Sequence, residues 1–379
     1  MPSEAAAPRG GALGRLGRVS ERALLIGIAL IAALAVAALV GARYGLLLLV
    51  GLGFGITLEA LRFGFAGPWR NMILNRDPGG LLAQLLAIGL VAVVAIPLIS
   101  ANGGELAGAH APVGLAMVGG AFVFGAAMQV VLGCGSGTLV NAGSGNPVGL
   151  LALPFFALGS FAGAWHLSWW TALGTAPVVV LDGWGGVGLT LAGLAAVAAL
   201  LLALAAPGCR KIPGRLWLAA VLVAALALVN LVVSGQPWGV VYGLGLWAAK
   251  GAAAVGVDLS ASAFWAAPGN AERVRETLLT DVTSLTNIGI IGGAFLVAAW
   301  RRGFGEPLPR LPARAWAATA VAGLLLGYSS RLAFGCNVGA FFSGVSTGSL
   351  HGWAWFLFAF AGSWFGVRLR PALGLEPRP

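Results

Sequence analysis

Two cysteines sit in closely similar settings at a separation of 336 − 134 = 202 residues. Cys134 lies in Gly133-Cys-Gly135-Ser136-Gly-Thr138, and Cys336 lies in Gly335-Cys-Asn337-Val-Gly-Ala340. A thiol is polarizable, nearly apolar and a weak hydrogen-bond donor. Two thiols in a narrow pathway therefore suit a soft solute bearing sulfur or selenium better than a hard oxyanion or a metal ion. Ser136, Thr138 and Asn337 add neutral hydrogen-bonding groups. A loop that enters a helix also exposes free N–H groups and the positive end of the helix dipole, which favours an anion. Packing is the ordinary use of a buried cysteine, but here repetition, polarity and thiol coincide. Cys209, beside Pro207 and Arg210, has no such setting and reads as incidental.

Charges close to apolar runs are the next candidates, because an ionisable group in lipid is costly and functional by default. Arg331 precedes Cys336 by five residues and either draws an anion inward or snorkels to the interface. Glu59, Arg62, Arg70, Asn71, Arg76 and Asp77 form a cluster in which some members pair structurally; Arg70 is the one selected for solute attraction. Lys250 and Asp258 read as a pair or as interface charges. His110, His166 and His351 lack ligand spacing, so neither a metal nor another cofactor is expected. Gly344-Val-Ser346-Thr-Gly348 fits a nucleophile-elbow pattern but lacks the strand-turn-helix setting. Gly183-Trp-Gly185-Gly-Val-Gly188 fits a dinucleotide fingerprint without a strand before it and reads as a turn opening a helix. There is no phosphate-binding GxxxxGK[ST] loop.

The elements that position these residues follow from composition. Of 379 residues 59% are hydrophobic and 9% charged, against about 25% charged in soluble domains. The chain is therefore read as an all-α, polytopic membrane bundle. Apolar runs at 23–40, 45–63, 81–100, 113–132, 148–166, 184–206, 216–234, 237–256, 282–300, 314–332 and 352–367 predict nine to eleven spans. The first run reads as a helix rather than a cleaved signal. The excess of 22 Lys+Arg over 12 Asp+Glu lies between apolar runs, as juxtamembrane charge does, which places the 1–22 tail, the 207–215 and 301–314 loops and the 368–379 tail at the cytoplasm. The 101–112 segment lies outside. These loops cannot all be satisfied if every run crosses, so at least one run does not. No basic helix interleaved with aromatics is present, and a nucleic-acid partner is not expected.

The cysteine match belongs to a longer one. Gly125 to Thr138 aligns with Gly327 to Ala340, and Leu158-Gly-Ser-Phe-Ala-Gly163 aligns one gap later with Ala361-Gly-Ser-Trp-Phe-Gly366. Gly51-Leu-Gly and Gly243-Leu-Gly form a weaker upstream pair. This predicts two structural repeats, 23–206 and 207–367, inverted so that re-entrant cysteine loops meet at the midplane, where transporters bind their solutes. The pairs Gly51/Gly55 and Gly159/Gly163 read as close helix packing.

At these residues the chain resembles the YeeE/YedE sulfur-transport family, nearest its YedE branch. Ser330-Arg-Leu-Ala-Phe-Gly-Cys336-Asn-Val-Gly-Ala-Phe-Phe-Ser-Gly is the most specific part, with Gly133-Cys134-Gly135 and Glu59-Ala-Leu-Arg-Phe-Gly-Phe65-Ala-Gly-Pro-Trp-Arg70 as further matches. The resemblance implies a bacterial-type inner membrane and an hourglass-like thiosulfate pathway with Cys134 and Cys336 as solute-contacting cysteines. Where the family has a cysteine before Phe65 this chain has Gly64, leaving two pathway thiols and keeping other sulfur and selenium species open. The resulting expectation is a non-enzymatic importer of a small sulfur-containing anion, acting alone or with a cytoplasmic sulfur-carrier protein. The rivals are a neutral-solute channel and a membrane sulfurtransferase holding a cysteine persulfide.

Overall fold

Long stretches rich in Ala, Leu and Val must satisfy every backbone N–H and C=O internally once in lipid, which leaves helices as the economical solution. A computed structural model describes residues 12–301 and 311–376. Its elements are α1 (Ala12–Val40), α2 (Ala42–Ala60), α3 (Ala66–Asn75), α4 (Gly79–Ala101), α5 (Leu115–Val131), α6 (Gly135–Gly143), α7 (Pro147–Trp165), α8 (Leu167–Thr171) and α9 (Gly183–Leu204). They continue as α10 (Gly214–Ser234), α11 (Val241–Ala254), α12 (Pro268–Arg275), α13 (Val282–Arg301), α14 (Ala313–Leu332), α15 (Ser343–Ser346) and α16 (Leu350–Leu373), with a wider π-turn over Asn337–Phe342 before α15. Among the described residues nine helical stretches are long and apolar enough to cross a membrane, and the two cysteine segments fall within Leu115–Gly143 and Ala313–Ser346. The fold is an all-helical membrane bundle.

Side-chain ties define its two ends. At one, Arg301 donates to the Ala60 carbonyl (2.9 Å) and Arg76 to the Leu204 carbonyl (2.7 Å). At the other, Arg43 donates to the carbonyls of Val233 (2.7 Å) and Ser234 (2.8 Å), and the Ala109 amide donates to Thr347 (3.0 Å). The first end carries Arg62, Arg70, Arg76, Arg210, Lys211, Arg215, Arg301 and Arg314 and is called the basic end.

The helices meet in an exchanged pattern. α5 packs along α16 and α14 along α7; α2 packs along α13 and α10 along α4. Glycine makes the closest of these contacts possible. A Cβ on Gly125 would collide with the Ala359 carbonyl, and one on Gly327 with the Phe156 carbonyl. Gly159 and Gly362 face the carbonyls of Leu324 and Phe122 in the same way. Gly51 and Gly55 sit against Thr286 and Ile290 of α13, so the small-residue pairs do serve packing. Gly243 of α11 also lies against α13, at Ser284 and Asn287.

Several sequence expectations need adjusting. The 237–256 run yields α11, whose 14 residues reach about 21 Å, short of the roughly 30 Å hydrocarbon core; it is not among the nine. Lys250 does not pair with Asp258. Its ammonium donates to the carbonyls of Val274 (2.8 Å) and Glu276, while Asp258 caps Ser260. The 1–22 tail is helical from Ala12, and α16 extends to Leu373 within the supposed C-terminal tail. Residues 1–11, 302–310 and 377–379 lie outside the described residues.

Candidate functional site

Both cysteines follow a helix that ends on a left-handed residue. Leu132 (φ 54°) closes α5 and Phe334 (φ 56°) follows α14 at the equivalent position. The cysteine after each turn is extended, at φ −80°, ψ −165° for Cys134 and φ −90°, ψ −169° for Cys336. The Thr138 amide donates to the Cys134 carbonyl and the Ala340 amide to the Cys336 carbonyl, each at 2.8 Å. The Gly133 amide reaches Met128, and the Gly335 amide reaches Ser330, again 202 residues on. Gly335 is dictated by space: a Cβ there would stand 2.6 Å from the Ala340 nitrogen.

The two turns touch. A Cβ on Gly135 would lie 2.8 Å from Cys336 Sγ and 3.3 Å from Val240. Cys134 is 1% exposed and Cys336 is fully buried, and both are unpaired thiols. Their surroundings differ. The Gly137 amide donates to Cys134 Sγ (3.4 Å), and Ser136 Oγ lies 3.4 Å from the same sulfur. Thr138 Oγ1 donates back to the Cys134 carbonyl (2.8 Å). Cys336 makes no such capping bond, and beside it both amide atoms of buried Asn337 lack a hydrogen-bond partner.

A cavity opens on each side of this contact. Toward the basic end, about 190 Å³ is bounded by Glu59, Arg62, Phe65, Gly133, Cys134 and Ser136. Toward the other end, about 330 Å³ is bounded by His110, Gln236, Tyr242, Arg331, Gly335 and Gly339. An aromatic chain crosses between the turns. Phe65 meets Phe342 edge-on (6.4 Å), Phe342 meets Trp238 (5.7 Å), and Trp238 stacks on Phe54 at 4.0 Å. The spacing of the motifs did not single out Trp238, Phe54 or Phe342, although Phe342 stands within the glycine-cysteine-asparagine segment.

The lining of each cavity includes one guanidinium, differently employed. Arg331 lies over Phe264 (4.5 Å to the ring centre) and Tyr242 (5.9 Å), with no carboxylate partner among the described residues. Arg62 pairs with Glu59 at 3.1 Å. Arg70 is placed elsewhere: its guanidinium meets Glu376 at 2.5 Å, outside the cavity lining. Glu376 also binds Arg370 (2.6 Å), whose Nη1 reaches the carbonyls of Gln129 (2.6 Å) and Val130 (2.8 Å) at the end of α5. Partial burial works against ionising Glu376, but hydrogen bonds and charge from Arg370 and Arg70 outweigh it and hold the carboxyl below its ordinary 4.5.

Helices of membrane-crossing length around an interior of thiols, small polar groups and arginines define an integral membrane protein of the transporter class. The Sulphur transport family model matches residues 61–365, and the chain belongs to that family. It is similar to the probable transporter YedE of Salmonella typhimurium, 40% identical over 92 residues, 24% of this chain and 23% of that one. The Escherichia coli YedE is 38% identical over 90 residues, 24% of this chain and 22% of that one. These matches span less than a quarter of either YedE protein. A longer match is to the thiosulfate transporter TsuA of Spirochaeta thermophila, 29% identical over 342 residues, 84% of this chain and 96% of that one.

Proposed function

We propose that the chain imports a small sulfur-containing anion such as thiosulfate, passing it between Cys336 and Cys134 at the contact of the two turns. The observation that carries this reading is the placement of Gly135 against Cys336 Sγ with a cavity on either side. Arg331 supplies positive charge before the constriction. Gly, Ser and Thr groups with the unpartnered Asn337 amide replace water around the solute, and the sulfur atoms accept its soft end. No covalent step is needed. The TsuA relationship supports the substrate class, and Gly64, where the family resemblance implies a cysteine, leaves two thiols for the transfer.

The reading includes two inverted repeats. Support comes from the matched backbone at the cysteines and from the reciprocal packing of α5 on α16 and α14 on α7. The basic end faces the cytoplasm on the positive-inside rule, where a soluble sulfur carrier would receive the solute. In proteoliposomes, labelled thiosulfate enters and urea does not, and the Cys134→Ala/Cys336→Ala double variant retains the helical fold but loses thiosulfate entry. Undiminished entry through the double variant would remove the thiol hand-over.

A further inference from the structure

A groove unrelated to the cysteine turns opens on the flank of the bundle between α4, α9 and α10. It encloses about 750 Å³. Its floor is Leu82, Leu85 and Leu194, each less than a tenth exposed, whereas Leu90 and Leu191 on its rim are 39% and 37% exposed. The groove starts at the basic end, where Arg210 and Lys211 of the α9–α10 loop join its lining. From Leu82 to Val93 on α4 it runs about 16 Å, close to half of a roughly 30 Å hydrocarbon core. Its dimensions are therefore those of one acyl chain in one leaflet.

The charges at the mouth select among lipids. Arg210 and Lys211 are exposed, and neither has a side-chain hydrogen bond or ion pair among the described residues. The neighbouring carboxylate, Asp77, is committed to the Gly79 amide at 3.0 Å. Trp217, half exposed at the same mouth, is the side chain expected at headgroup depth. Two free cations above an apolar slot, beside an interfacial indole, complement a phosphate-bearing headgroup of net negative charge.

We propose that this groove binds an anionic phospholipid, with one acyl chain along α4 and α9 and the headgroup phosphate between Arg210 and Lys211. The test uses the full chain in detergent with phosphatidylglycerol or phosphatidylcholine of identical chains, read by native mass spectrometry. One phosphatidylglycerol is retained under activation that strips phosphatidylcholine. The Arg210→Gln/Lys211→Gln variant, changed only at exposed positions, loses about thirty-fold in phosphatidylglycerol affinity. Ala195→Phe, which fills the slot and leaves the cations, loses the bound lipid as well. Equal retention of the two lipids by the unaltered protein would overturn the proposal, as would unchanged phosphatidylglycerol retention in the double variant. Displacement of the lipid by millimolar inorganic phosphate would also overturn it, by showing a free-anion site.

Discussion

The turn at Cys134 and the turn at Cys336 share a backbone but not a chemistry. Both leave a helix through a left-handed residue, extend at the cysteine and bond the amide four residues on. Beyond that point they diverge. Cys134 accepts an amide and neighbours a hydroxyl, with an ion-paired Arg62 close by, and its chain continues as an ordinary helix. Cys336 makes no side-chain capping bond, is followed by a π-turn, and stands next to an unsatisfied asparagine on the side of Arg331, which has no carboxylate partner among the described residues. A π-turn inside a helical segment is a frequent mark of a working site. Two turns of one backbone shape thus present unequal surroundings, with an unpartnered asparagine amide and an arginine without a carboxylate at one and an ion-paired arginine at the other.

The comparison breaks most readily at the shared packing. Gly125→Leu and Gly327→Leu each force a side chain into a carbonyl and cost several times the roughly 1–3 kcal/mol of ordinary overpacking. Both lose folded protein by size-exclusion chromatography; survival of one alone would end the equivalence. Gly135→Val, whose Cβ presses on Cys336, abolishes uptake in folded protein, while Gly137→Ala, whose Cβ meets only Cys134 Sγ at 3.7 Å, leaves uptake near normal.

A finer distinction lies in the arginines. Arg331→Gln raises the KM for thiosulfate about tenfold, the scale of one charge-assisted hydrogen bond, whereas Arg62→Gln, already paired with Glu59, raises it about twofold. Equal effects would show that the cavities attract solute alike. The smallest effect concerns Glu376. Its lowered carboxyl pKa means that the tie to Arg70 and Arg370 is fully present above about pH 4.5 and is lost as pH falls through the depressed value. Thermal stability of the unaltered protein relative to Glu376→Gln therefore differs by about 1 kcal/mol or less at neutral pH, and the difference disappears in acid.

Apolar periodicity and run length made the helical bundle legible, and the self-match at 202 residues located both cysteine turns. Direction was harder. Arg62 and Arg70 stand in the same charged cluster, and only the left-handed backbone at Arg62 (φ 54°), together with the Glu376 tie, decides which lies at the cavity. Glu376 is 306 residues from Arg70, beyond any local pattern. Lys250 illustrates the same limit, since its acceptors are backbone carbonyls, which every residue possesses. The aromatic chain through Trp238 and Phe342 was equally hidden, because a ring in an apolar sequence carries no sign of what it faces.

The reciprocal seating of α5 on α16 and of α14 on α7 has a mechanical consequence. Glycine notches lock each of these helices onto a backbone from the far portion of the chain, so no slip plane separates early residues from late ones. A rocking bundle of the kind that swings about a central hinge would have to unseat all of these notches together. If solute passes between the thiols as proposed, the yielding must then come from the short turns that bear them rather than from sliding of early helices against late ones.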